Sequence, residues 1–114
     1  MKIERREQDG VTIIALGGVI KLGESSRLFS NYLEEILKEG VSAVLLDMSE
    51  IDYVDSTGLG ELVGYLQRFS DQGGKLALLK PQARILKLLK LTRLDEVFKI
   101  YDDEVAGLQE MKVG

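Results

Sequence analysis

The sequence predicts a single α/β domain, residues 1–114, that is built on a mixed β-sheet. After residue 41, short apolar runs alternate with helical patterns, which indicates parallel strands joined by right-handed crossovers. Before residue 41, two strand-like segments meet at Asp9-Gly10, a dipeptide typical of a two-residue hairpin turn. A chain of 114 residues is one domain of ordinary size. No linker or low-complexity tract suggests a boundary within it.

The N-terminal part is predicted to form the hairpin, a loop and a helix. Val11–Leu16 is β-branched and nearly all apolar, as expected of a buried strand, and Gly17-Gly18 is predicted to end it. Residues 19–23 are predicted to be a loop or a short strand. A helix is predicted from Glu24, with Gly40 just beyond its C-terminus. Its apolar face consists of Leu28, Tyr32, Leu33, Ile36 and Leu37.

The C-terminal part is predicted to alternate between strands and helices. One helix is predicted to begin near Ser56 and to end at Gly73-Gly74, and another to open at Pro81. A terminal helix is predicted to follow the acidic run 102–104, because the helix dipole favours acid in a first turn. The predicted strands are Val41–Met48, Lys75–Leu79 and Val97–Tyr101.

Composition excludes several classes of function. The sequence contains no Cys and no His, which excludes disulfides, cysteine-ligated metal and a Ser-His-Asp triad. The net charge of −4 disfavours nucleic acid as a partner. No apolar run approaches the ~20 residues of a membrane helix, and the charged N-terminus does not resemble a signal peptide. We therefore expect no metal, no cofactor, no contact with a membrane, and a location in the cytoplasm.

The segment Asp55–Gly60 is the strongest candidate for a functional site. It lies where a strand is predicted to end and a helix to begin, among free backbone N–H groups and at the positive end of the helix dipole. One interpretation is a simple helix cap, since Asp, Ser, Thr and Gly are all preferred caps. The other is that Ser56 is presented for phosphorylation, which would add about −1.5 to −2 charge units to the surface. The two interpretations are compatible.

Other clusters give weaker signals. The glycines of residues 17–18 and 58–60 lack the spacing of nucleotide-binding loops. The acidic residues of two segments could bind Mg²⁺ or act in acid–base chemistry, but they are more typical of solvated turns. A basic cluster near the third helix forms either a solvated face or a patch for an acidic partner or lipid. The acidic residues are Asp47, Asp52, Asp55, Asp102, Asp103 and Glu104, and the cations are Arg84, Lys87, Lys90 and Arg93, together with Lys80.

The order of these motifs resembles the STAS domain of bacterial anti-sigma-factor antagonists, and the resemblance covers nearly the whole chain. Its most specific part is the D-S-[ST]-G-L-G block at residues 55–60, which follows a V/I-L-D-[LM]-S strand. The segments that carry the resemblance are Leu45–Ser49, Ile51–Val54, Asp55–Gly60, Gly73–Leu76 and Leu88–Phe98.

The resemblance implies a small mixed β-sheet with helices packed mainly on one face, and a regulator of transcription rather than an enzyme. The unmodified domain would bind an anti-sigma factor that is also a Ser/Thr kinase. That kinase would phosphorylate Ser56 and so cause release, and a metal-dependent Ser/Thr phosphatase would reset the domain. The residues expected to support the phosphosite are Asp55, Thr57, Gly58 and Asp47. Those expected to contact the partner are Ile20, Lys21, Leu22, Glu24, Ser25, Leu59, Gly60 and Val63.

One segment departs from the family pattern. Lys21 stands where the family commonly has an acid, and Glu24 follows three residues later. This departure points to a variant antagonist in another signalling circuit. The alternative function is a non-switching STAS scaffold or ligand-binding module in a bacterial signalling assembly. An enzyme would have to rely on Ser56 with Asp47 or Asp55 alone. The edge of the predicted hairpin could also mediate a weak dimer.

Overall fold

The computed structural model describes residues 1–112 and contains a five-stranded sheet in the order β1-β2-β3-β4-β5. The strands are β1 (Lys2–Gln8), β2 (Val11–Ile20), β3 (Ala43–Val54), β4 (Lys75–Leu79) and β5 (Ile100–Tyr101). The helices are α1 (Glu24–Lys38), α2 (Ser56–Asp71), α3 (Ala83–Leu91) and α4 (Glu104–Met111), with a 3₁₀ turn at Leu94–Glu96. The predicted α/β class is confirmed.

The mixed character of the sheet comes from its first strand. β1 pairs antiparallel with β2, and Gln8 lies opposite Val11 across the turn. Asp9 and Gly10 both have positive φ, 54° and 79°, as a two-residue turn requires. The other neighbouring strands are parallel. The hairpin and the parallel pairing of the strands after residue 41 are therefore as predicted.

Two strands are longer than predicted. β2 continues through Gly17-Gly18 to Ile20, because these glycines pair with Glu50 and Ile51 instead of turning away from the sheet. β3 continues past Met48 to Val54, and the β2–β3 register shifts after Ala15 and again after Gly18. Each shift inserts one extra residue into β3, as a β-bulge does. The bulges disturb the period-2 pattern, so local sequence does not reveal the strand's full length.

Helices cover the two faces of the sheet unequally. Alternate residues of β3 point to opposite faces, so Val44, Leu46 and Met48 pack in a large core with α1, α2 and α3. Ala43 and Leu45 pack on the other side with Leu108 and Met111 of α4. The expectation of helices mainly on one face is confirmed.

Smaller differences concern where elements begin and which residues face the core. β5 has two residues instead of five, because Val97 and Phe98 follow the 3₁₀ turn before the chain reaches β4. α3 begins at Ala83, two residues after Pro81. In α1, Phe29 is fully buried, whereas the predicted core residue Leu28 is 41% exposed.

Candidate functional site

The start of α2 is built on Asp55, the residue that follows the last position of β3. Asp55 has extended backbone angles and occupies the N-cap position. Its Oδ1 accepts a hydrogen bond of 2.8 Å from the backbone N–H of Gly58. This is the usual geometry by which an acidic side chain satisfies a free N–H in the first turn of a helix.

Asp55 also links α2 to the loop between β2 and α1. Its Oδ2 accepts a hydrogen bond of 2.9 Å from the backbone N–H of Leu22, and its own N–H donates to the carbonyl oxygen of Ile20 at 3.2 Å. Hydrogen bonds from the N–H groups of Leu22 and Gly58 favour the charged carboxylate and lower the pKa of Asp55 below its ordinary value. One side chain therefore orients both segments around Ser56.

Gly58 allows the first turn of α2 to pack directly against the end of β2. A Cβ at this position would lie 2.3 Å from the carbonyl oxygen of Ile20 and 2.8 Å from Cγ1 of Val54. Its backbone is helical, so the requirement is for space and not for positive φ. The first glycine of the D-S-T-G-L-G block is thus needed for the contact between the first turn of α2 and the end of β2.

Ser56 is the first residue of α2 and is exposed. Within residues 1–112, no hydrogen bond uses its hydroxyl, because Asp55 already supplies the cap. The combined interpretation, in which Ser56 both caps the helix and is phosphorylated, is therefore corrected: Asp55 is the cap. Thr57 beside it is half-buried. Of the two neighbouring hydroxyl groups, that of Ser56 is the more accessible to a modifying enzyme.

The loop that precedes α1 has a defined conformation. The Ser25 hydroxyl accepts a hydrogen bond from the N–H of Lys21 at 3.0 Å and donates to the Lys21 carbonyl oxygen at 3.1 Å. Ser25 is itself buried, as is Ile20 at the end of β2, whereas Lys21 and Glu24 are exposed. Leu22 is 75% exposed. The surface of this loop is therefore formed by Lys21, Leu22 and Glu24, while Ser25 and Ile20 support it.

Three of the remaining predicted site residues lie on α2, whereas Asp47 lies in β3. On α2, Gly60 is exposed, and Leu59 and Val63 are half-buried. Asp47 lies far from Ser56. It pairs with Ala15, whereas Val54 at the end of β3 pairs with Ile20, so about 16 Å of strand separates Asp47 from the end of β3. Its Oδ1 accepts a hydrogen bond from the N–H of Ser49 at 3.0 Å. The structure does not bring Asp47 to the site.

A groove that the sequence did not predict lies beside Ser56. This groove, about 630 Å³ in volume, lies between α2 and α3 and has a mostly apolar lining. Tyr53, at 51% exposure, is an exposed aromatic residue at its margin. The only signal in the sequence was the basic face of the third helix, which includes Arg84. The residues that line the groove are Asp52, Tyr53, Val54, Asp55, Ser56, Leu59, Arg84, Ile85, Leu88 and Thr92.

Several residues of the acidic clusters have structural partners. Asp103 caps α4 by accepting a hydrogen bond from the N–H of Ala106 at 3.1 Å, and Glu104 pairs with Arg6. Asp52 accepts a hydrogen bond from Gln82 at 3.2 Å. Over residues 1–112, no three potential metal-ligating side chains converge. None of the helices in this range is both long and apolar enough to span a bilayer.

Comparison with known proteins agrees with the fold and with the resemblance seen in the sequence. The family model for the STAS domain matches residues 2–106. A Thermotoga neapolitana protein, named as a candidate anti-sigma factor antagonist, is 36% identical over 90 residues, covering 78% of this chain and 80% of its own. The anti-sigma F factor antagonist of Paenibacillus polymyxa is 27% identical over 113 residues, covering 99% and 97%.

A solved structure extends the similarity to three dimensions. The crystal structure of a candidate anti-sigma factor antagonist from Thermotoga maritima superposes with a TM-score of 0.90 at 29% identity, covering 97% of this chain and 95% of that one. The family model, the sequence relatives and the shared fold all lead to one assignment. This chain belongs to the STAS domain family of anti-sigma factor antagonists.

Proposed function

We propose that this chain, as a single STAS domain, is an antagonist that acts by partner switching, with Ser56 as the phosphoacceptor. The observation that carries the proposal is the exposed Ser56 hydroxyl at the first position of α2, beside a loop that Asp55 joins to the same helix. By homology the protein is a regulatory antagonist, and an anti-sigma factor is its expected partner.

In the unmodified state, the partner would dock on the surface around Ser56. This surface contains exposed Leu22 and Tyr53, together with the partly buried Leu59 and Val63 of α2. Exposed apolar side chains beside a polar rim are typical of protein interaction sites. The backbone positions of Gly60 and Lys21 would lie within the same contact area.

The partner would also be the modifying enzyme, a Ser/Thr kinase. The Ser56 oxygen would attack the γ-phosphorus of ATP, ADP would leave, and the hydroxyl proton would pass to a base of the kinase. The product would carry about −1.5 to −2 additional charge units in the middle of the docking surface. Because burying an unpaired charge is costly, the complex would dissociate.

Hydrolysis of the phosphate on Ser56 would return the protein to its unmodified state. A metal-dependent phosphatase would direct water onto the phosphorus, which would restore the Ser56 hydroxyl and release inorganic phosphate. Kinase, ATP and sigma factor all operate in the cytoplasm of a bacterium, so the proposal places this protein there. The domain itself would bind, present its serine and change charge, without catalysing either step.

The first experiment maps the phosphate. The protein is incubated with ATP and a kinase-type anti-sigma factor, and modified peptides are identified by mass spectrometry. We expect one phosphate on Ser56 and no phosphorylation of Ser56→Ala, whereas Thr57→Ala is still modified. Phosphate found only at other residues would overturn the assignment of Ser56.

The second experiment measures binding. Ser56→Asp should weaken the partner's affinity by about tenfold or more, which corresponds to ~1.4 kcal/mol or more. Ser70→Asp is the matched control, because Ser70 is also exposed on α2 but lies near its other end. Equal binding by Ser56→Ala and Ser56→Asp would instead favour a STAS module that does not switch.

A further inference from the structure

The groove beside Ser56 contains one cationic side chain. Arg84, from the first turn of α3, lines it together with Ser56 from the first turn of α2. The other charged groups of the lining are Asp52 and Asp55, and Tyr53 is its remaining titratable side chain. Before modification, the groove therefore holds two carboxylates and one guanidinium.

Arg84 is only weakly held in the unmodified protein. It is exposed, and its Nη1 donates to the backbone carbonyl oxygen of Asp52 at 3.5 Å, the outer limit of a hydrogen bond. Among residues 1–112 it forms no ion pair. By contrast, Arg5 is fixed by two hydrogen bonds of 2.8 Å to the Glu39 carboxylate. Turning the Arg84 side chain toward another partner would therefore break only its weak hydrogen bond to Asp52.

We propose that Arg84 is the intramolecular partner of phosphorylated Ser56. This inference rests on the proposed function, since it concerns the modified form of the same serine. A phosphate monoester presents oxygens that match the two parallel N–H donors of a guanidinium, and such charge-assisted pairs are among the strongest hydrogen bonds in proteins. Arg84 would also offset repulsion between the phosphate and the carboxylates of Asp52 and Asp55.

The pairing would change the docking surface in a second way. A guanidinium drawn toward Ser56 would lie across the apolar floor of the groove, where Leu59 and Leu88 are half-buried. Phosphorylation would then both add charge and cover apolar surface that a partner could use. The phosphorylated state would be defined by a specific contact across the α2–α3 groove and not by charge alone.

The test installs phosphoserine at position 56 during translation, so that no kinase is needed. The second pKa of the phosphate, ordinarily near ~6, is followed by ³¹P NMR in otherwise wild-type protein, in Arg84→Gln and in Lys87→Gln. Lys87→Gln is the matched control, because it removes the same charge from an exposed position on α3 that does not line the groove.

Pairing with a cation favours the dianion, so removing Arg84 should raise the phosphate pKa by about half a pH unit. Lys87→Gln should change it by no more than ~0.1, because long-range surface charges are screened. Arg84→Lys should give an intermediate value, since it keeps the charge but loses the fork of two donors. Equal phosphate pKa values in Arg84→Gln and Lys87→Gln would overturn the proposal.

Binding to the anti-sigma factor, measured on the same phosphoserine proteins, separates this proposal from the function on which it rests. Loss of binding with no effect of Arg84 on the phosphate pKa would support partner switching and refute the role of Arg84. A clear effect of Arg84 on the phosphate pKa with undiminished binding would support the pairing and refute the switch.

Discussion

Replacing Gly58 with alanine tests the close contact between the first turn of α2 and the end of β2. The new Cβ would lie 2.3 Å from the Ile20 carbonyl oxygen, more than 1 Å inside an ordinary van der Waals contact of about 3.4 Å. Neither this oxygen nor the backbone carrying the Cβ can move by a side-chain rotation. The helix must therefore shift away from β2, which would also stretch the hydrogen bonds of Asp55.

The expected magnitude combines two opposing terms. Overpacking a tight contact costs about 1–3 kcal/mol, and we take ~3 kcal/mol because backbone lies on both sides of the clash. Alanine recovers up to ~1 kcal/mol through its better helix propensity. Gly58→Ala should therefore lower the free energy of unfolding by about 2 kcal/mol and the melting temperature by roughly 8 °C.

Gly60→Ala provides the matched control, because it makes the same chemical change two residues later in the same helix. A Cβ at Gly60 would meet nothing within 4 Å, so only the propensity gain of about 0.5–1 kcal/mol remains. Urea unfolding with linear extrapolation should separate the two variants by about 3 kcal/mol. If their unfolding free energies agreed within ~0.5 kcal/mol, the steric argument for Gly58 would be refuted.

Two further predictions concern side chains that join elements. Asp55→Asn should remove a stabilising contribution that is present above pH 3.8, the ordinary pKa of the group, and that is lost as pH falls through the lower folded-state pKa. Tyr65→Phe should destabilise the protein by about 1–2 kcal/mol, because this buried hydroxyl lies 2.7 Å from the Ser30 hydroxyl and 2.9 Å from the Glu34 carboxylate.

Each of these predictions has its own control. For Asp55, the stability difference between wild type and Asp55→Asn is measured by urea unfolding from pH 7 to 3. It should be largest near neutrality and shrink below about pH 4, and a difference independent of pH would contradict the charge argument. For Tyr65, the control is Tyr53→Phe, at 51% exposure, which should stay within ~0.5 kcal/mol of wild type.

Much of the fold could be predicted where the sequence signal is local. The Asp9-Gly10 turn needs only two residues that tolerate positive φ, and the Lys75–Leu79 strand is a short apolar run with glycines before it. The full length of β3 could not be predicted, because its bulges depend on pairing with β2. Strand pairing is a property of two distant segments, and neither one encodes it alone.

The candidate site, like the fold, could be predicted only in part. The sequence identified the D-S-T-G-L-G block as a strand-to-helix junction, but it did not indicate which residue caps the helix. That choice depends on the Leu22 N–H, 33 positions away in the chain, which holds Asp55 in the orientation that leaves Ser56 free. The basic face of α3 was visible as a pattern, yet the position of Arg84 in the lining of the groove beside Ser56 depends on how α2 and α3 are placed on the sheet.

The sequence alone is sufficient for the α/β class, the turn residues and the strand-to-helix junction at the D-S-T-G-L-G block, because these follow from backbone preferences and hydrophobic periodicity over a few residues. The packed structure was needed to show that Asp55 is the cap, that Gly58 permits the contact with Ile20, and that Asp47 lies remote from the site while Arg84 lines the same groove as Ser56. These outcomes depend on distances between residues far apart in the chain, and such distances are set when the sheet pairs and the helices pack upon it.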